Sequence, residues 1–151
     1  MLYLAVIIGG ILLDQLIKWL IVANLPLGSG FALVPGLLGI HYVQNTGAAW
    51  SIFSGNTMGL AVFSVFMAAL LGVWIWKTPS ENRCQRLALS LMLAGAFGNM
   101  LDRFRLGYVI DFIELPHWPI FNIADMLLCI GVAWLAVLLI RQEIAERRNG
   151  E

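Results

Sequence analysis

Asp14, Asp102, Asp111 and Asp125 are all the aspartates of this chain, and each lies within or at the end of a long apolar stretch. A carboxylate near the centre of a bilayer costs roughly 3 kcal/mol on insertion scales, so each needs a partner, a cavity or a task. The glutamates are placed differently: Glu81, Glu143, Glu146 and Glu151 fall in polar, basic segments, and only Glu114 follows closely on an aspartate. Asp111 and Asp125 have the character of a catalytic pair. Two close carboxylates cannot both ionise readily and so share a proton. The ionised member can take a proton from water while the protonated member donates to a scissile carbonyl oxygen. No serine or cysteine with a histidine near it in sequence competes as a nucleophile, and His41 and His117 both fall in segments between the apolar stretches.

Each polar group also has a plainer reading. Asn122-Ile123-Ala124-Asp125 spells a capping box, with Asn122 as N-cap and an acidic residue at N3. That leaves Asp111 unexplained among Val109, Ile110, Phe112 and Ile113. Asp14 and Lys18 share a helix face. They are either a self-neutralising pair with a snorkelling lysine or a polar anchor turned to the interior. Asn45-Thr46-Gly47-Ala48-Ala49-Trp50-Ser51 is turn-like; the Asn45 amide could bond a peptide backbone, and Gly47 permits close approach. Ala94, Gly95 and Gly98 suit close helix packing. Asn99 and Arg103 share a face, with Asp102 beside them near a helix C-terminus. An acid there opposes the macrodipole and needs a donor, with Arg103 or a backbone N–H the expected partner.

The elements that carry these residues follow from composition. Of the 151 residues 60% are hydrophobic and 12% charged, against about 25% charged in soluble domains. This describes a small polytopic membrane protein: all-α, one domain over residues 1–151, with four transmembrane helices and a small extracytoplasmic β element. Roughly 20 apolar residues cross the hydrocarbon, which places spans at about 2–23, 58–76, 87–103 and 123–140. The first is not expected to be a cleaved signal peptide, because Asp14 and Lys18 interrupt it and no basic segment precedes it. Within residues 24–57, the alternation of Ile40, Tyr42 and Gln44 with His41, Val43 and Asn45 reads as a strand, and Tyr108–Ile113 as a second extended piece. Trp50 suits the interface.

Lys77, Arg83 and Arg86 lie in the 77–86 loop and Arg141, Arg147 and Arg148 in the tail, whereas residues 24–57 carry no charge. Both termini are therefore expected in the cytoplasm, with residues 24–57 and 102–122 outside. Zero net charge gives no support to a nucleic-acid partner. Cys84 and Cys129 suggest neither a disulfide nor a metal site, and no cofactor is indicated.

On the residues alone, a proton-coupled transporter would also use buried aspartates, and a scaffold remains open. The ordered set Asp14-x-x-x-Lys18, Asn45-Thr46-Gly47-Ala48-Ala49, Gly95-x-x-Gly98-Asn99-x-x-Asp102-Arg103, Val109-Ile110-Asp111-Phe112-Ile113 and Phe121-Asn122-Ile123-Ala124-Asp125 decides between them. It resembles, over essentially the whole chain, the lipoprotein signal peptidase (signal peptidase II) family of bacterial membrane aspartyl peptidases. The resemblance implies removal of signal peptides from diacylglyceryl-modified prolipoproteins, cutting before the lipidated cysteine, by a monomer in the bacterial inner membrane with membrane lipid around it and its active site near the outer face. It implies Asp111 and Asp125 as the catalytic residues. Asn45, Gly47, Asn99, Arg103 and Asn122 would surround the substrate, and Asp14 and Asp102 would support the site, with Lys18 beside Asp14. Trp50 and Met126 stand where the family commonly has Phe and Ser; neither removes a group the chemistry needs.

Overall fold

The computed structural model describes residues 1–47 and 57–149. Its elements run α1 (Leu2–Asn24), β1 (Gly30–Val34), β2 (Leu38–Asn45), α2 (Thr57–Lys77), α3 (Arg83–Leu106), β3 (Val109–Glu114) and α4 (Ile123–Asn149). The expectations for Ala48, Ala49, Trp50 and Ser51 fall outside the described residues.

Among the described residues, α1, α2 and α4 are long and apolar enough to cross a membrane. Their apolar surface faces outward. Leu12, Leu16 and Trp19 on α1 and Val62, Phe63 and Phe66 on α2 are all exposed, while the buried residues of α1 are Asp14 and Lys18. A helix surrounded by lipid gains nothing by hiding leucine and much by hiding charge.

The helix α3 differs. It packs against each of α1, α2 and α4, and its buried face runs from Ala88 to Asp102. Shielded by its neighbours, it can afford Arg83, Arg86, Asp102, Arg103 and Arg105. The third apolar stretch therefore understates the helix, which extends past both its ends. The expected 77–86 loop contracts to residues 78–82, and Arg83 and Arg86 belong to the first turns of α3.

Residues 30–45 fold as the hairpin β1–β2 rather than one strand. Pro35 fixes the first corner of the turn and Gly36 takes φ 75° at the second. The Leu37 N–H closes it onto the Val34 carbonyl at 3.0 Å, as Pro-Gly favours in a type II turn. The sheet is antiparallel in the order β1-β2-β3, so the β element is not confined to residues 24–57. Tyr42, Ile110 and Phe112 bury its inner face against Ile17 and Ile21 of α1. The free edge of β3 is held by Phe121, whose carbonyl accepts the Phe112 and Ile113 N–H groups at 3.0 and 2.8 Å. That contact brings the start of α4 beside Asp111.

Candidate active site

Asp111 pairs across the sheet with Val43, and Asn45 lies two residues further along the same face of β2. From there the Asn45 amide donates to Asp111 Oδ2 at 2.9 Å, and the Asn122 amide donates to Asp111 Oδ1 at 2.6 Å. Asp111 is buried. Burial, reinforced by the Asp125 charge and opposed by the two amides, pushes its carboxyl up to about 7.

Asp125 occupies the first turn of α4. Its Oδ2 accepts the Asn122 N–H at 3.2 Å while Asn122 Oδ1 accepts the Asp125 N–H at 3.0 Å. The capping box is real, and it does not compete with a chemical role, because Oδ1 remains to accept the Asn99 amide at 2.7 Å. Asn122 also donates to Asn99 Oδ1 at 3.0 Å. Two carboxylates from a strand and a helix are thus joined through the Asn122 and Asn99 amides.

Both aspartates line one cavity of about 310 Å³, with Asn45, Asn99, Arg103 and Trp118 around them. A second cavity of about 400 Å³ opens among α2, α3 and α4, and Asn99, Arg103, Asp125 and Leu128 belong to both. Asp125 therefore stands where two cavities meet. A hollow of about 420 Å³ between the β1–β2 turn and residues 114–120 touches neither aspartate.

The remaining site residues are partly as expected. Gly47 donates its N–H to Asn45 Oδ1 at 2.9 Å and accepts from Arg103 Nη2 at 3.3 Å. Arg103 does not pair with Asp102. The Asp102 carboxylate instead takes Lys18 Nζ at 2.8 Å, the Gln15 amide at 2.9 Å and the Ile110 N–H at 3.2 Å. Adjacent helix positions point about 100° apart, so Asp102 faces α1 while Arg103 faces the cavity. Lys18 is buried between two carboxylates and does not snorkel.

Gln15 is a site residue that sequence reasoning passed over. It bonds Asp102 and the Gly98 carbonyl and accepts from Arg105. Its signal was an amide beside Asp14 in an otherwise apolar run. Asp14 Oδ1 accepts the N–H of Ala124, the residue before Asp125, at 2.9 Å.

Arg103 yields a prediction. Arg103→Ala removes the side chain that links Gly47 to both cavities, so turnover should fall by roughly 10–100-fold, while the buried Asp102–Lys18 pair keeps the fold near its original stability. Arg103→Lys should restore only part of the rate, since lysine lacks the planar fork. Steady-state turnover and thermal melts of the two variants decide it, and wild-type turnover in the alanine variant would contradict it.

An outward-apolar helical bundle with a small sheet and two carboxylates in a shared cavity defines a membrane-embedded enzyme. Comparison with known proteins gives the family. Residues 6–141 match the signal peptidase (SPase) II family, a peptidase A8 family. The lipoprotein signal peptidase of Geobacter sulfurreducens is 40% identical over 146 residues, covering 92% of this chain and 91% of its own. That of Latilactobacillus sakei is 39% identical over 142 residues, covering 90% and 94%. A bacterial membrane enzyme solved by the in meso method superposes with a TM-score of 0.89 at 32% identity, over 93% of this chain and 88% of its own. The chain belongs to the signal peptidase II family. Family membership removes the transporter and scaffold readings.

Proposed function

We propose that Asp111 and Asp125 are the catalytic pair with which this signal peptidase removes signal peptides from prolipoproteins, cutting before a diacylglyceryl-modified cysteine. The observation that carries this reading is the amide-linked pair facing one cavity. The two carboxyls share one proton: the protonated member gives it to the scissile carbonyl oxygen, and the ionised member takes a proton from the attacking water. Asn45, Asn99 and Asn122 hold the two carboxylates, a more direct task than surrounding substrate. Gly47 and Arg103 contact substrate, while Asp14, Lys18 and Asp102 support the pair from behind.

The chain acts as a single domain over residues 1–151, as a monomer in the bacterial inner membrane. The helix α3 is the fourth span: its 24 residues suffice for the crossing, and three apolar helices shield it. Lys77, Arg83, Arg86 and the tail arginines favour a cytoplasmic position for both termini. The uncharged hairpin β1–β2 then lies against lipid on the outer side, and the pair opens toward the outward half of the bundle. The test is incubation of the purified protein with a diacylglyceryl-modified prolipoprotein peptide, with products identified by mass spectrometry. One cut immediately before the modified cysteine is expected. A cut elsewhere, or equal cutting of the unmodified peptide, rejects the substrate assignment.

A further inference from the structure

Behind the pair, Asp14, Lys18 and Asp102 form a buried group with a near-symmetric relation to it. Asp14 Oδ1 accepts the N–H of Ala124, which precedes Asp125, at 2.9 Å. Asp102 Oδ2 accepts the N–H of Ile110, which precedes Asp111, at 3.2 Å. Between them, Lys18 Nζ lies 2.9 Å from Asp14 Oδ2 and 2.8 Å from Asp102 Oδ2. An ammonium has three N–H donors, and the third goes to Asn99 Oδ1 at 3.0 Å. Bonding that oxygen turns the Asn99 NH2 toward Asp125, to which it donates at 2.7 Å.

We infer that Asp14, Lys18 and Asp102 act as a clamp that sets the separation of the two catalytic carboxylates, with Lys18 as its central positioning residue. The inference rests on Asp111 and Asp125 being the catalytic pair. The physical need is specific. Asp111 comes from a strand and Asp125 from a helix, and these elements are joined by residues 115–122, which have no regular structure apart from the bridge at Phe121. The Phe121 bridge holds the end of that connection on β3, and the first turn of α4 with Asp125 lies beyond it. Each arm of the clamp grips the backbone one residue before a catalytic side chain, and the lysine joins the arms. A buried cation that merely balanced charge would need neither backbone contact. Displacement by about 1 Å at such a site can cost about 100-fold in rate.

The test pairs Lys18→Met with Asp14→Asn. The double variant removes one charge of each sign, so the charge balance of the group is preserved while the clamp is cut. The readouts are kcat and KM on the lipidated peptide and the pH profile of kcat. The clamp predicts kcat lower by about 100-fold with KM within about threefold, because binding contacts are retained. It also predicts that the two apparent values of the pH profile draw together, since the coupling of two carboxylates weakens as they separate.

Wild-type kcat in the double variant overturns the clamp and leaves charge balance as the role of Lys18. So does a low kcat with an unchanged spacing of the two values. If the double variant does not fold, Asp14→Asn alone serves. It leaves Lys18 with Asp102 and an oxygen for the Ala124 N–H, but sets its amide against Lys18 Nζ. It should lower kcat by about 10-fold, and an unaltered rate and profile again overturn the clamp. Failure of the catalytic pair itself is distinguishable, because Asp111→Asn or Asp125→Asn would then retain turnover in the intact clamp.

Discussion

Asp111→Asn should yield a folded, membrane-inserted protein with turnover reduced by roughly 1000-fold or more, and Asp125→Asn should do the same. An amide is nearly isosteric with a carboxyl group but can neither accept the proton of water nor pass one to a carbonyl oxygen. The Asp111 variant carries a second signature, in stability. The Asp111 carboxyl is pushed from its ordinary value of 3.8 up to about 7. From about pH 4 to about pH 7 the folded protein therefore keeps a proton that the unfolded chain has released. Stability linked to this group is fully present below about pH 4 and lost as pH rises to about 7, levelling above it. Asparagine has no such loss. Thermal melts should thus show Asp111→Asn gaining on the wild type between pH 4 and pH 8, by an amount on the order of a few kcal/mol. Appreciable turnover would remove Asp111 from the reaction. A melting difference independent of pH would contradict its buried, proton-sharing state.

Gly95→Ala should be nearly as damaging by a different route. A Cβ at Gly95 would collide with the backbone carbonyl of Ala124 and come within 2.8 Å of Leu128 Cγ. A backbone oxygen cannot swing aside, so α4 must move from α3. Overpacking of this kind costs about 1–3 kcal/mol. The displaced residue is the neighbour of Asp125, so activity should fall with stability. Gly72→Ala in α2 is the control, since a Cβ there meets nothing within 4 Å. It should be neutral or stabilising by up to about 1 kcal/mol. Equal melting temperatures for the two variants would contradict the close packing of α3 on α4.

The sequence was legible where spacing is local. Asp14 and Lys18, one turn apart, could be read as sharing a face, and Asn122 with Asp125 as a cap; both pairs are present. The small residues Ala94, Gly95 and Gly98 could be read as a packing face. What spacing does not carry is the long-range partner. Lys18 meets Asp102 from another helix, and Asn45 meets Asp111 through strand pairing. Of the two partners expected for Asp102, a backbone N–H is present in Ile110, while Arg103 turns away because neighbours in sequence diverge on a helix. The contact of Asp14 with Ala124 is likewise long-range, because Phe121 on β3 sets where α4 begins. Hydropathy shortened α3 for a similar reason, since shielding by α1, α2 and α4 relieves it of the need to be apolar throughout.

The most direct measurement of the central claim is the pH dependence of kcat for the purified enzyme on a lipidated prolipoprotein peptide. Two carboxylates sharing one proton predict a bell, whose two apparent values belong to the pair and whose upper limb falls near pH 7 as the shared proton is lost. A rate that climbs steadily through pH 7 and onward to pH 9 would contradict the shared-proton pair.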